Sequence, residues 1–104
     1  MAKASVKNNS SKTFNVKGNK MNVSATAYSG DSITATGTRP KWGTIAVDPR
    51  IIPYGTKVYI PKFNMTFVAE DCGGAIKGNK IDIFMNSKSE CRTWGRRTID
   101  IYIQ

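Results

Sequence analysis

Six short runs of β-branched and aromatic residues, none longer than seven, constrain this chain's fold more than any other feature. They lie at 22–28, 44–47, 57–60, 64–70, 81–84 and 98–103, and glycine or proline interrupts the chain between each pair. Such runs suit strands of about five or six residues and are too short for helices of ordinary length. Six of them within residues 21–104 predict an all-β fold, a small six-stranded barrel. Ile99, Ile101 and Ile103 alternate with Asp100 and Tyr102, and Ile81 and Ile83 alternate with Asp82 and Phe84. Period two with one face buried turns Asp82 away from its isoleucine neighbours. Between the last two runs, Ser87 and Glu90 have capping-box spacing, so a helix of one or two turns is expected to reach Trp94 and stop at Gly95. Pro53-Tyr54-Gly55 reads as a turn, because proline presets φ and glycine permits a positive one.

The chain has 104 residues, with sixteen Lys or Arg against seven Asp or Glu, two cysteines and no histidine. That length holds one domain. With 39% hydrophobic residues it can bury one core, leaving about a third of the unfolded chain's surface wet. The missing histidine excludes Ser-His-Asp and Cys-His nucleophiles, and two cysteines leave an ordinary zinc site to be completed by carboxylates. Acid–base work therefore falls to carboxylates, and no cofactor or metal is expected. No apolar run approaches the roughly 20 residues of a membrane span, and no apolar segment near the start resembles a secretion signal. Residues 1–20 carry five lysines and no acid, whereas residues 21–104 carry eleven bases and seven acids, +4 of a total of +9. The Lys-, Asn- and Ser-rich segment 1–20 reads as a flexible basic arm or linker, with the domain at 21–104. A solvated tail and an arm that binds a polyanion, whether cell wall or nucleic acid, both fit that charge.

Three aspartates stand in unusual settings. Asp48 precedes Pro49, whose ring holds its neighbour extended. Asp71 ends a strand and opens a loop at Gly73-Gly74, where missing side chains allow a ligand or another backbone to come close. Asp82 lies in a run otherwise built for burial. If the glycine loop folds the two strands side by side, Asp71 and Asp82 converge. Each residue also has a structural reading: Asp48 satisfying a turn amide, Asp71 capping the loop, and Asp82 on the solvent face of its sheet, as the same alternation places Asp100. The Gly73–Gly78 stretch is not a phosphate loop, because Asn79 stands where that motif requires lysine.

The segments TAY (26–28), TATGTRPKWGTIAVDPRIIPYGTKVYI (34–60), AEDCGGAIKGNKIDIF (69–84) and WGRRTIDIYI (94–103) resemble the three-aspartate, or 3D, domain of bacterial cell-wall proteins. That domain occurs in stationary-phase survival proteins and is related to the catalytic domain of membrane-bound lytic transglycosylase A. The resemblance spans about residues 23–103. It implies a double-psi β-barrel with one or two short helices and an activity that cleaves peptidoglycan. The three aspartates of the family match Asp48, Asp71 and Asp82, implied as catalytic; Gly73, Gly74, Lys77, Tyr28 and Thr36, within the same segments, are assigned to substrate binding.

A lytic transglycosylase of this kind breaks the bond between N-acetylmuramic acid and N-acetylglucosamine without water, as the muramic C6 hydroxyl attacks its own C1 to form a 1,6-anhydro ring. One acid serves twice, protonating the leaving oxygen and then accepting the C6 proton. The resemblance assigns that residue to Asp82. An ordinary aspartate is protonated in only about one molecule in a thousand at pH 7, roughly 4 kcal/mol from the required state. Ile81, Ile83 and Phe84 are expected to desolvate it and Asp71 to repel its charge, both raising its pKa, with Lys77 or Lys80 opposing. Trp42, Tyr54 and Trp94 either stack on sugars or pack the core and rim. Cys72 and Cys91 are expected to pair, fitting export, with two free thiols as the alternative. The expected partner is the peptidoglycan glycan strand and not nucleic acid, acted on by a monomer, secreted or wall-associated, of bacterial or phage origin. A non-catalytic wall-binding or wall-loosening module is the second reading, and a nucleic-acid-binding barrel, supported only by the basic arm, is the third.

Overall fold

The computed structural model describes residues 18–30 and 32–104; the first seventeen positions of the basic arm lie outside the described residues. Six strands close into a barrel: β1 (Asn19–Tyr28), β2 (Thr44–Ala46), β3 (Lys57–Ile60), β4 (Met65–Asp71), β5 (Lys80–Phe84) and β6 (Arg97–Ile103), with one helix, α1 (Lys88–Trp94). Around the barrel they run β1-β5-β2-β4-β3-β6. Two pairs are parallel, β1 with β5 and β2 with β4, and the other four are antiparallel. This is the small six-stranded barrel expected from the sequence; it is closed, its sheet is mixed, and it carries a single short helix.

Alternation builds the core. Ile81 and Ile83 of β5, Ile45 of β2, Ala69 and Phe67 of β4, Val58 and Ile60 of β3, Ala25 of β1 and Ile101 of β6 are all sealed from solvent. Each large aliphatic side chain so enclosed contributes about 1.5–3 kcal/mol. The first strand opens at Asn19, three residues ahead of the predicted run, because it pairs with β6 as far as Asn19–Ile103. Asn64, predicted to open β4, instead takes a left-handed backbone (φ 51°) and closes the turn from β3, accepting a 2.6 Å hydrogen bond from the Tyr59 hydroxyl.

The connections follow the predicted chemistry. The Thr56 amide donates to Pro53 O at 3.2 Å, and Gly55, with φ 88°, supplies the positive φ this turn needs. Ser87 caps α1, accepting from the Glu90 amide at 3.1 Å. Glu90 reaches back one residue further than a capping box requires and accepts from the Asn86 amide at 3.0 Å. The helix stops at Gly95 (φ 66°), whose amide donates to Cys91 O. No described helix is long and apolar enough to cross a membrane.

Candidate active site on the barrel wall

Strands β4 and β5 do not lie side by side: β2 is inserted between them. This overturns the expected route to convergence, yet the convergence itself occurs. Ala46 of β2 is the register partner of Asp82 on one side and of Asp71 on the other. The two aspartate Cα atoms are thus two strand spacings apart, about 10 Å. Ile45, one residue earlier, points into the core with Ile83. The level of Ala46, Asp71 and Asp82 therefore faces the outer wall.

Asp82 is half-buried there. Its cross-strand partner Thr26 donates a 2.9 Å hydrogen bond to Oδ1. Desolvation is the main cause pushing the Asp82 carboxyl above its ordinary value, the Asp71 charge adds to it, and the Thr26 hydroxyl opposes it. Ile81 and Ile83 lie on the opposite, interior face of β5. The apolar neighbours on the outer wall are Phe84 and Tyr28, whose rings meet edge to face at 5.5 Å. Lys77 and Lys80 are not among the groups that act on Asp82.

Asp71 accepts from the Ala35 amide at 3.0 Å, from its neighbour Cys72's amide at 2.9 Å and from the Tyr28 hydroxyl at 3.4 Å. Burial and the Asp71 carboxylate push the Tyr28 phenol well above its usual range, so it stays protonated and donates. Asp71 reaches this face because of a bulge: Ile45 pairs with Ala69 and Ala46 with Asp71, which leaves Glu70 as an extra residue. Glu70 accepts from Thr44 Oγ1 at 2.8 Å and Thr38 Oγ1 at 3.4 Å, and its carbonyl accepts from the Thr36 amide. A threonine loop, 34–38, is thereby tied down beside the aspartate pair.

Asp48 follows Val47, whose amide donates to Asp71 O at 2.9 Å, but its carboxylate bonds to neither aspartate's neighbours and turns to other partners. It is 2% exposed, and its carboxylate takes a two-pronged contact from Arg50 (3.1 and 3.0 Å) together with the amides of Arg50 and Gly78 (3.1 and 2.9 Å). These donors hold its pKa far below the usual carboxylate range. A carboxylate so consumed cannot serve as a proton donor; it fastens the 48–52 turn to the glycine loop.

The remaining expected residues divide. Tyr28 reaches the aspartates directly, and Thr36 does so through the loop. Gly73 approaches the Ile76 side chain, where an added Cβ would come to 3.2 Å, while Gly74 is open. Lys77 is exposed. Trp94 is core, its Nε1 donating to Ala25 O at 2.9 Å, whereas Trp42 and Tyr54 are partly exposed. Cys72 and Cys91 are free thiols, which corrects the expected disulfide. Cys72 sits on the rim beside Tyr54, whose phenol is raised chiefly by that neighbour, while Cys91 packs against the core from α1. Thr26, Ala46, Glu70 and Arg50 were missed in the sequence. Thr26 and Ala46 acquire their places only through pairing with distant strands. Glu70 was legible as a carboxylate next to Asp71, but regular alternation would have sent it to the opposite face. Among the described residues, no group of three or more Cys, Asp or Glu side chains is arranged to hold a metal ion.

Comparison with known proteins places the fold and the family. The chain is 43% identical over 103 residues to the cell wall-binding protein YocH of Bacillus subtilis, covering 89% of this chain and 36% of that protein. It is 43% identical over 95 residues to the putative cell wall shaping protein YabE of the same organism, covering 83% and 23%. The chain thus spans about a third or less of the length of these relatives. Among solved structures, MltA from Escherichia coli, described as a lytic transglycosylase fold, superposes with a TM-score of 0.56 at 24% identity, over 71% of this chain and 27% of MltA; MltA with bound chitohexaose gives 0.55. That likeness establishes the barrel's fold. The model of the 3D domain matches residues 43–104, more than half of the sequence and all of the strands from β2 onward, and the chain belongs to the 3D domain family.

Proposed function

We propose that this chain is a peptidoglycan lytic transglycosylase acting at the cell wall, with Asp82 as its single acid and base. The observation that carries the reading is the position of Asp82: half-buried, raised above its ordinary pKa by desolvation, and level with the negative charge of Asp71 across one alanine. Protonated Asp82 donates to the glycosidic oxygen between N-acetylmuramic acid and N-acetylglucosamine. The muramic O6 then closes on C1, and the Asp82 carboxylate accepts the O6 proton. Asp71, kept in place by Tyr28 and two amides, stabilises the oxocarbenium-like charge. Asp48 is a positioning residue that braces the glycine loop. The fold shared with MltA supports this reading.

A second reading, a module that holds wall glycan without cutting it, is favoured by the names of YocH and YabE, a wall-binding and a wall-shaping protein. Mass spectrometry of soluble products from purified peptidoglycan separates the two. Fragments ending in 1,6-anhydromuramic acid are expected from the wild type, with loss of at least about a thousandfold in rate for Asp82→Asn. Reducing-end products would replace this mechanism by hydrolysis, and no products from folded protein on several wall types would favour the binding module.

A further inference from the structure

The open end of the barrel, away from the aspartate wall, carries a feature that the proposed chemistry does not use. Here the ends of β3 and β5 and the starts of β2, β4 and β6 surround a cavity of about 440 Å³, within the usual size of a small-ligand site. Its floor is aromatic: Phe63 and Trp94 lie 5.3 Å apart, and Trp42, 38% exposed, stands edge-on to Phe63 at the lip. One wall, from α1 and the turn before it, is polar. The Asn86 side-chain carboxamide and the hydroxyls of Ser89 and Thr93 belong to residues that line the cavity, and among the described residues these side-chain groups and the Trp42 indole N–H make no hydrogen bond. Flat apolar surface beside unpaired donors and acceptors suits a sugar ring, which has an apolar face and a hydroxylated edge.

Charge narrows the class. Arg97 is held over the Trp94 ring at 4.3 Å, its Nε donating to Trp94 O at 3.0 Å. Lys88 and Arg92 of α1 and Arg96 just after it are exposed and lie outside the cavity lining. Among the described residues the ion pairs are Lys20–Asp100 and Arg50–Asp48, so none of these four cations has a carboxylate partner. The acid lining the cavity is Glu90, with one oxygen occupied by the backbone N–H of Asn86. The lining itself balances Arg97 against Glu90, but segment 86–97 as a whole sets four cations against one acid, and the positive field around this end of the barrel favours an anionic ligand.

We propose that this barrel end is a second carbohydrate site, which takes an N-acetylated amino sugar carrying a carboxylate. The choice of sugar rests on the wall-glycan reading above; the site itself does not depend on cleavage. Met85 in the cavity is three residues beyond Asp82 along β5, about 10 Å at the rise of a strand. A glycan strand engaged at both places gains avidity without any new contact at the cleavage point.

The test is titration of the full-length ¹⁵N-labelled protein with N-acetylmuramic acid and, separately, N-acetylglucosamine, following the two indole N–H signals by NMR and assigning them with Trp42→Phe. The expected result is a saturable shift of the Trp42 signal, at least about tenfold tighter for the carboxylated sugar, lost in the cavity-filling variant Ser89→Phe and kept in Asp82→Asn. Ser89 is on an exposed helix turn, so that variant should fold, as an unchanged Tm would verify. Three results would each overturn the proposal: an unmoved Trp42 signal in the wild type, equal affinity for both sugars, or a shift abolished by Asp82→Asn but not by Ser89→Phe. A positive titration without anhydro products would retain this site while removing the transglycosylase reading, and the converse would do the reverse.

Discussion

Asp82 and Asp48 are carboxylates pushed in opposite directions, and their pH signatures should differ in sign. The folded-state pKa of Asp82 is raised, so its contribution to stability is full below the ordinary aspartate value and is lost as pH rises through the raised one. Asp82→Asn should remove that loss, leaving Tm at pH 7 unchanged or higher even as activity disappears. The folded-state pKa of Asp48 is depressed; its contribution is present above the ordinary aspartate value and lost as pH falls through the depressed one. Asp48→Asn should therefore lower Tm at pH 7 by at least about 5 °C and flatten the acid side of a Tm-against-pH curve. The limb of the pH–rate profile that reports Asp82 can be moved both ways. Thr26→Val removes the bond that favours the charged form and should shift the limb to higher pH; Asp71→Asn removes a like charge and should shift it lower. An unmoved limb in both variants would mean that another group is the acid. Pattern alone could not separate Asp82 from Asp100, since both alternate with isoleucines. The difference lies in partners distant in sequence: Asp100 is exposed, bonded to Asn22 and Lys20, whereas Asp82 faces Thr26, Tyr28 and Asp71.

At the level of elements, local signals were legible and pairings were not. The start of α1 and its end at Gly95 could be read because a cap is made by residues three or four apart. Ser87→Ala should cost about 1 kcal/mol, seen as a lower urea midpoint with an unchanged slope. The strands could be read from their alternation, but which strand neighbours which could not. Hydrogen bonding between β2 and both β4 and β5 depends on how a chain of connections closes, and nothing in the composition of residues 44–46 encodes it. The sequence expectation that Asp71 and Asp82 converge was therefore met, but through β2 between their strands and not by direct pairing of β4 with β5. The expected disulfide is absent for a related reason: a count of two cysteines suggests a pair, whereas the fold sends one to the loop rim and the other to the inner side of a helix.

For the whole molecule, closure places one aromatic cluster at the open end of the barrel. Phe67, fully buried, contacts the rings of Trp42 and Phe63 at 5.2 and 5.7 Å. Phe67→Ala should cost about 3–5 kcal/mol, a large part of what a domain of this size has available; near-native stability in denaturant would show that this end collapses to fill the space. The opposite face of the same strand leads to a practical conclusion about transplantation. Glu70 and Asp71 are consecutive, and both serve the outer wall, one anchoring the threonine loop and the other facing Tyr28. On a regular strand one of them would point into the oily interior. Grafting this carboxylate wall onto another barrel would thus fail by substitution alone. The recipient strand must also be lengthened by one residue, because no choice of side chains puts two successive acids on the same face of an unbroken ladder.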